Sequence, residues 1–341
     1  MNNREIRDLA ASCGFQLAGV SGVEAAPDFG RFRDWVDRGL AGEMRYLTDH
    51  RADVRNDLAH LLPGVRSVIS VGMLYNGPEP YSTEFSSPER AWISRYAWGD
   101  DYHTVVRRKL EVLAGKLMET ECFRWRACVD TAPLLERSVA RQAGLGWIGK
   151  NTCLINQQMG SWFFLGELLT TLELEADEPA AARCGSCTRC IEACPTDAIV
   201  PSPSGGYELD ARLCISYFTI ELRSAVPEAH REAVGQNVFG CDICQDVCPW
   251  NRKAPREAEA AKAELYAPPL ERLAELSEAE FKKLFRETPV NRAKYNGFLR
   301  NVAIAMGNAG LPQFRAPLER LAAAPDLLVR EHALWALGRL S

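Results

Sequence analysis

Eight of the twelve cysteines in this 341-residue chain fall between Cys184 and Cys248, and their spacing limits what the chain can fold into. Cys184-x2-Cys187-x2-Cys190-x3-Cys194-Pro195 matches the bacterial ferredoxin run, whose fourth cysteine ligates the other cluster when two are present. Short spacing lets three thiolates of one tight loop hold three irons while the fourth points away. A second run, Cys241-x2-Cys244-x3-Cys248-Pro249, keeps the same phase but has Val238 where its first cysteine belongs. Cys214, alone in an apolar stretch between the runs, makes up the deficit. Crossed ligation then predicts two complete sets. Cys184, Cys187, Cys190 and Cys248 would hold one [4Fe–4S] cluster, and Cys194, Cys214, Cys241 and Cys244 the other. Zinc tetrathiolate sites also use paired Cys-x2-Cys units. Two nested runs that end in Cys-Pro and leave no cysteine over favour clusters. Two clusters imply single-electron transport toward another centre, because the module carries no substrate chemistry of its own.

Hydrophobic residues at 47% and charged residues at 25% are ordinary for a globular chain, and the length suggests two or three domains. In a chain of this length, with no secretory signal or twin-arginine pair at its start, clustered cysteines point to metal or redox chemistry rather than disulfides. No apolar run approaches the roughly 18–20 residues that span a bilayer. The expectation is a cytoplasmic chain with no membrane partner.

The pattern divides the chain at 1–178, 179–252 and 253–341. The first segment alternates helical and strand-like stretches, an α+β arrangement. Ile6, Leu9, Ala10 and Cys13 recur at helical spacing, Val65 to Leu74 reads as a buried strand, and Asp101 to Glu119 as a long amphipathic helix. Phe123 to Val129 reads as a strand, followed by a helix that ends near Gly144. Asn251 to Pro269 is a charged linker, and the remainder is helical. Asn301 to Gly307 and His332 to Gly338 align 31 residues apart, a weak repeat of the kind found in short HEAT-like solenoids.

Gly144-Leu145-Gly146-Trp147-Ile148-Gly149 satisfies GxGxxG, but it follows a helix, whereas a dinucleotide fingerprint follows a strand. It reads as a helix exit, with a backbone-rich loop beside a cofactor as the alternative. Asp130 ends an apolar strand just before Pro133. It has two readings, an N-cap or a semi-buried general acid that stays protonated. The histidines show no ligand spacing, and His103 reads as a helix-surface or capping residue. The total charge of −5 hides a segregation: residues 281–341 hold ten Lys and Arg against four Asp and Glu, a net of +6, leaving −11 on the rest. Phe285, Tyr295 and Phe298 lie among Lys282, Lys283, Arg286, Arg292, Lys294 and Arg300. A basic, aromatic-bearing surface suits a nucleic-acid backbone, and a solvated helical face with buried aromatics is the competing reading.

Ser94-Arg95-Tyr96-Ala97-Trp98-Gly99-Asp100-Asp101-Tyr102-His103, Val129-Asp130-Thr131, Gly146 to Asn151 and the two cysteine runs together resemble the epoxyqueuosine reductase family across nearly the whole chain. The resemblance implies a nitroreductase-like cobalamin-binding domain, a ferredoxin-like module with two [4Fe–4S] clusters, and a C-terminal HEAT-like domain that binds tRNA. It implies removal of the epoxide oxygen of epoxyqueuosine at the tRNA wobble position to give queuosine. Base-off cobalamin, reduced to cob(I)alamin through the clusters, would do the chemistry with Asp130 as proton donor. The cofactor contacts it implies are Arg55, Ser94, Asp130, Lys150, Leu154, Leu165 and Ser216. Lys282, Lys283, Arg292, Lys294 and Arg300 would dock the anticodon stem-loop. A flavodoxin or ferredoxin-type donor and a monomeric state complete the expectation. Two rivals are a cytoplasmic reductive dehalogenase-like enzyme and a non-catalytic iron–sulfur electron-transfer subunit on a HEAT-like scaffold.

Overall fold

The computed structural model describes residues 1–24, 27–258 and 261–340. Helix α1 (Asn3–Ser12) starts at a capping box in which Asn2 accepts from Glu5 N–H and the Glu5 carboxylate answers to Asn2 N–H. It turns Ile6 and Ala10 inward and leads into β1 (Leu17–Ser21). The β-branched run of β2 (Ser67–Leu74) forms a buried strand. Asp101 caps α2 (Tyr102–Met118), which buries Val106, Leu110, Leu113 and Leu117 along one stripe. After β3 (Trp125–Cys128) come α3 (Glu136–Gln142) and β4 (Phe163–Thr170). The four strands form one antiparallel sheet in the order β1-β2-β4-β3.

Period-two alternation gives this sheet two different faces. Ile69, Val71, Ala127, Val129 and Leu168 pack on α1 and α2, whereas Val68, Cys128 and Leu169 pack on Val139 of α3 and on Leu58 and Leu134. A three-layer sandwich results, and Asp130 stands two residues beyond the end of β3.

The helical end contains α4 (Tyr295–Ala309), α5 (Arg315–Ala322) and α6 (Leu327–Leu337). The repeat seen in sequence is a packing contact. A Cβ on Gly307 of α4 would lie 2.8 Å from Ala336 Cα of α6, so glycine sets the distance of closest approach. The hydrophobic cores cross the sequence boundaries at 178 and 252. Trp92, Ile93 and Trp98 pack into the same core as Phe281, Phe298 and Phe314. Trp35 and Met44 likewise pack with Tyr217 and Phe218. Residues 259 and 260 of the charged linker lie outside the described residues. Among the described residues no helix is long and apolar enough to cross a membrane.

Candidate active site and cluster module

The two cysteine runs fold together. Cys184, Cys187, Cys190 and Cys248 line one cavity of about 250 Å³, with Cys248 arriving from the second run as crossed ligation requires. Burial raises the Cys190 thiol to about 11, and the charges of Cys248, Cys184 and Cys187 add to the effect. In the other set, burial and then the charge of Cys214 push Cys241 well up, with Cys194 contributing, whereas Cys244 is raised first by its hydrogen bond to Cys153 and by burial, with Cys241 and Cys214 adding to it. Thiols pushed upward by one another in this way need a positive centre to ionise, which iron supplies. Among the described residues no three His, Cys, Asp or Glu converge as a single-ion site would require. Four thiols around a cavity suit a multi-iron cluster better than one zinc. Trp147 and Trp250 meet edge to face, centroids 5.0 Å apart, and pack against Cys184 and Cys248, which keeps this site apolar.

The glycine loop belongs to the protein framework. Gly144 has φ +75° at the exit from α3, and a Cβ on Gly146 would come within 2.3 Å of the Ile155 carbonyl oxygen, closing the short hairpin of Trp147–Ile148 with Leu154–Ile155. Lys150 Nζ donates to the Gly185 and Cys187 carbonyls, both at 2.9 Å, and so ties this hairpin to the first cysteine loop.

Asp130 is not an N-cap. It stands at φ 45°, and α3 begins six residues later at Glu136 with Leu135 at its cap. Such a backbone costs energy for any residue but glycine, and aspartate tolerates it better than most. Freed from capping, the carboxylate meets His103 Nε2 at 3.1 Å, and His103 Nδ1 meets Asp101 Oδ1 at 2.6 Å. Arg292 Nη1 approaches the same Asp130 oxygen at 3.9 Å while its Nε holds Glu221 at 2.6 Å. Burial alone would raise Asp130, but the His103 hydrogen bond and charge, with Arg292, outweigh it and hold the carboxyl below its ordinary value. Burial opposes charge on His103 too, yet its bonds to Asp101 and Asp130 lift it to about 9. The expectation of a protonated Asp130 is therefore corrected: at neutral pH the shared proton rests on His103. His103 is the residue of this cluster that sequence reasoning missed, because its second partner lies 27 residues away.

The remaining expected contacts are dispersed. Arg55 is buried, donating to the Tyr46 and Arg51 carbonyls at 3.3 and 2.7 Å. It lines a small cavity with Ser21, Leu135 and Val139. The buried Ser94 hydroxyl donates to Asp242, which also takes bonds from Trp92 Nε1 and Arg95 N–H. Leu154 is buried, with Leu165 packed beside it, against Ala140, Ala143 and Phe163. Ser216 precedes the π-helical turn of Tyr217–Glu221. Lys282, Lys283 and Lys294 are exposed, and Lys282 pairs with Glu278 at 2.6 Å. Arg292, expected at the RNA surface, reaches the Asp130 site instead.

Arg300 is a correction. It is 1% exposed and donates to the Phe218, Leu222 and Ser224 carbonyls, so it joins α4 to the cysteine module and offers nothing to a phosphate. Phe285 and Phe298 are likewise core residues, packed around Phe281 rather than available for stacking.

The family model described as "Epoxyqueuosine reductase QueG, DUF1730" matches residues 55–131, and one described as "4Fe-4S double cluster binding domain" matches residues 183–251. The chain is similar to an epoxyqueuosine reductase of Xanthomonas campestris pv. campestris, 44% identical over 98% of this chain and 95% of that protein. It is 37% identical to the Escherichia coli epoxyqueuosine reductase over 98% of this chain and 89% of that one. Among solved structures, epoxyqueuosine reductase from Streptococcus thermophilus superposes with a TM-score of 0.89 at 30% identity, covering 99% of this chain and 90% of that one. An epoxyqueuosine reductase with an epoxyqueuosine-modified tRNA-Tyr stem loop gives a TM-score of 0.88 at 28% identity, covering 99% and 89%. With these matches running through the cysteine module and the strand that carries Asp130, the chain belongs to the epoxyqueuosine reductase family of oxidoreductases.

Proposed function

We propose that this chain removes the epoxide oxygen of epoxyqueuosine at the wobble position of tRNA to give queuosine, with Asp130 and His103 supplying the proton. The observation that carries the reading is the Asp101–His103–Asp130 chain of hydrogen bonds at the end of β3, reached by Arg292 from the helical end of the molecule. Epoxide opening develops negative charge on oxygen, and a proton held between an imidazole and a carboxylate is placed to neutralise it. His103 stores the proton, Asp130 hands it on, and Asp101 orients the ring. Arg292 keeps Asp130 ionised between deliveries and adds positive charge beside the departing oxygen.

Two [4Fe–4S] clusters in the crossed sets and base-off cobalamin are the cofactors of this reading. When bound, cobalamin supplies a low-potential nucleophilic metal centre that the side chains here do not provide. The one observation that bears on the fit is the buried Ser21 hydroxyl, which has no partner in the cavity of about 20 Å³ it shares with Arg55, room for the tip of one corrin amide arm and no more. The contacts that the family resemblance assigns to it are Arg55, Ser94, Lys150, Leu154, Leu165 and Ser216. Cys194, Cys214, Cys241 and Cys244 would hold the second cluster. The three-part division at 178 and 252, with nitroreductase-like and HEAT-like end units, belongs to the same reading. So do a monomeric cytoplasmic enzyme and a flavodoxin- or ferredoxin-type donor. Lys282, Lys283 and Lys294 form the exposed basic positions toward an anticodon stem-loop. Family membership favours this reading over a dehalogenase or an electron-transfer scaffold.

Mass measurement of tRNA nucleosides after incubation with the protein, cobalamin and a reductant tests the proposal. Conversion of epoxyqueuosine to queuosine is expected. An unchanged epoxyqueuosine peak with the clusters verified as reduced overturns it.

A further inference from the structure

Glu167 stands in the middle of β4, inside the otherwise apolar run Phe163–Thr170, and is 0% exposed. Neither of its carboxyl oxygens has a hydrogen-bond partner. The sheet register puts Ser70 of β2 and Cys128 of β3 directly opposite it, so the three side chains stand in one row on the face toward α3. The Ser70 hydroxyl is also fully buried and without a partner. Glu136 opens α3 above this row, with one oxygen buried and unpartnered and the backbone N–H of Asp130 facing its carboxyl. Beyond β3, Asp130 follows two residues after Cys128, and its charge acts on both Glu136 and Glu167. Native proteins rarely leave buried polar atoms unpaired, and several on one face of a sheet call for an explanation.

The reaction proposed above gives one. Removing an epoxide oxygen as water breaks two C–O bonds, forms a C=C bond, and takes up two electrons and two protons. The electrons come from the low-potential one-electron donor. The Asp130–His103 pair holds one proton and must be refilled. We propose that Glu136 and Glu167 form a buried proton reserve that recharges the Asp130–His103 pair from beneath, each acting through Asp130 and neither touching substrate. The reserve rests on the epoxide reading for its purpose, while its existence as a pair of neutral acids does not.

The groups that face the pair are Asp130 at the mouth, His103 behind it on α2, Arg137 on α3, and Cys128 on β3. Burial, reinforced by the Asp130 charge, lifts Glu136 to about 8. Burial, followed by the charges of Glu136 and Asp130, holds Glu167 well above the ordinary carboxyl range. Glu136 is therefore mostly neutral at pH 7 and close to His103 in proton affinity, and burial favours the neutral form of Glu167.

Infrared spectroscopy of the full chain without cofactor or tRNA tests the protonation directly. Wild type is expected to show protonated-carboxyl C=O bands at pH 7, with one component lost in Glu136→Gln and another in Glu167→Gln. The second readout is the pH profile of single-turnover epoxide reduction. Glu136→Gln should leave the rate near wild type at pH 6 and lower it roughly tenfold at pH 7–8, where solvent protons are scarce and Glu136 still holds its own. Absence of the bands in wild type overturns the reserve, and that arm needs no variant to fold and no substrate to turn over. An unchanged pH profile in both variants, or a pH-independent loss of cobalamin binding, also overturns it by assigning these oxygens a purely structural or cofactor-holding role.

Discussion

His103 Nε2 lies 3.1 Å from Asp130 Oδ2 while its Nδ1 lies 2.6 Å from Asp101 Oδ1, so one imidazole bridges two carboxylates at the mouth of the site. The ring carries its proton up to a pH of about 9, against an ordinary value of 6.5. Because the folded value is the higher one, the pairing stabilises the protein fully below about pH 6.5 and loses that contribution as pH rises through about 9. An NMR titration of the His103 ring should show a midpoint near 9, and Asp101→Asn should move it downward. A midpoint at the ordinary histidine value would remove the ring from the proton path.

Asp130→Asn separates proton delivery from folding. Asparagine accepts the positive φ that Asp130 occupies, so the strand end and both cofactor sites should persist. Cluster absorption and cobalamin uptake are expected to match wild type, with turnover reduced roughly a hundredfold to ten-thousandfold, the scale of a general acid. Near-normal turnover in this variant refutes the role.

What the sequence made legible follows the range of the interaction. Cysteine spacing within each run is set by one tight loop, the gap at Val238 pointed to Cys214, and the rule that the fourth cysteine of such a run crosses over put Cys248 with Cys184, Cys187 and Cys190, whose cavity it lines. The strand ending at Asp130 was legible, but Pro133 suggested a helix start that the chain delays to Glu136. His103 looked like a surface residue because Asp130 becomes its neighbour only when α2 packs on the sheet. The basic tail misled in a different way. Phe298 and Arg300 follow the exposed Lys294 within six residues, and the helical turn of α4 carries them to the buried side. Glu167 did leave a sign, a lone carboxyl in an apolar strand, whose meaning depends on its register with Ser70 and Cys128.

Crossed ligation predicts different lesions from different cysteines. Cys248→Ala should abolish the cluster held with Cys184, Cys187 and Cys190 and lower iron from about eight to about four per chain, and Cys214→Ala should do the same to the other set. Cys153 is the informative control. Its thiol is hydrogen-bonded to Cys244, which holds it below its ordinary value against the effect of burial, yet it belongs to neither run. Cys153→Ala should retain the full iron content. Loss of four irons there would make Cys153 a ligand and displace a member of the second set.

Two kinds of basic residue in the helical end should fail in opposite ways. Arg300 bonds the Leu222 and Ser224 carbonyls at 2.9 and 2.7 Å and reaches Phe218 as well, all inside the protein. Arg300→Met leaves these buried acceptors unpaired at about 1–3 kcal/mol each. The expected loss is therefore about 3–5 kcal/mol in denaturant unfolding, with RNA affinity falling only as the folded fraction falls. Lys283→Ala and Lys294→Ala, at exposed positions, should change stability by less than about 0.5 kcal/mol. Each should weaken binding of an anticodon stem-loop and flatten the dependence of log affinity on log salt by about one unit per lost phosphate contact. An unchanged salt slope in the lysine variants would move the RNA-facing surface away from the start of α4.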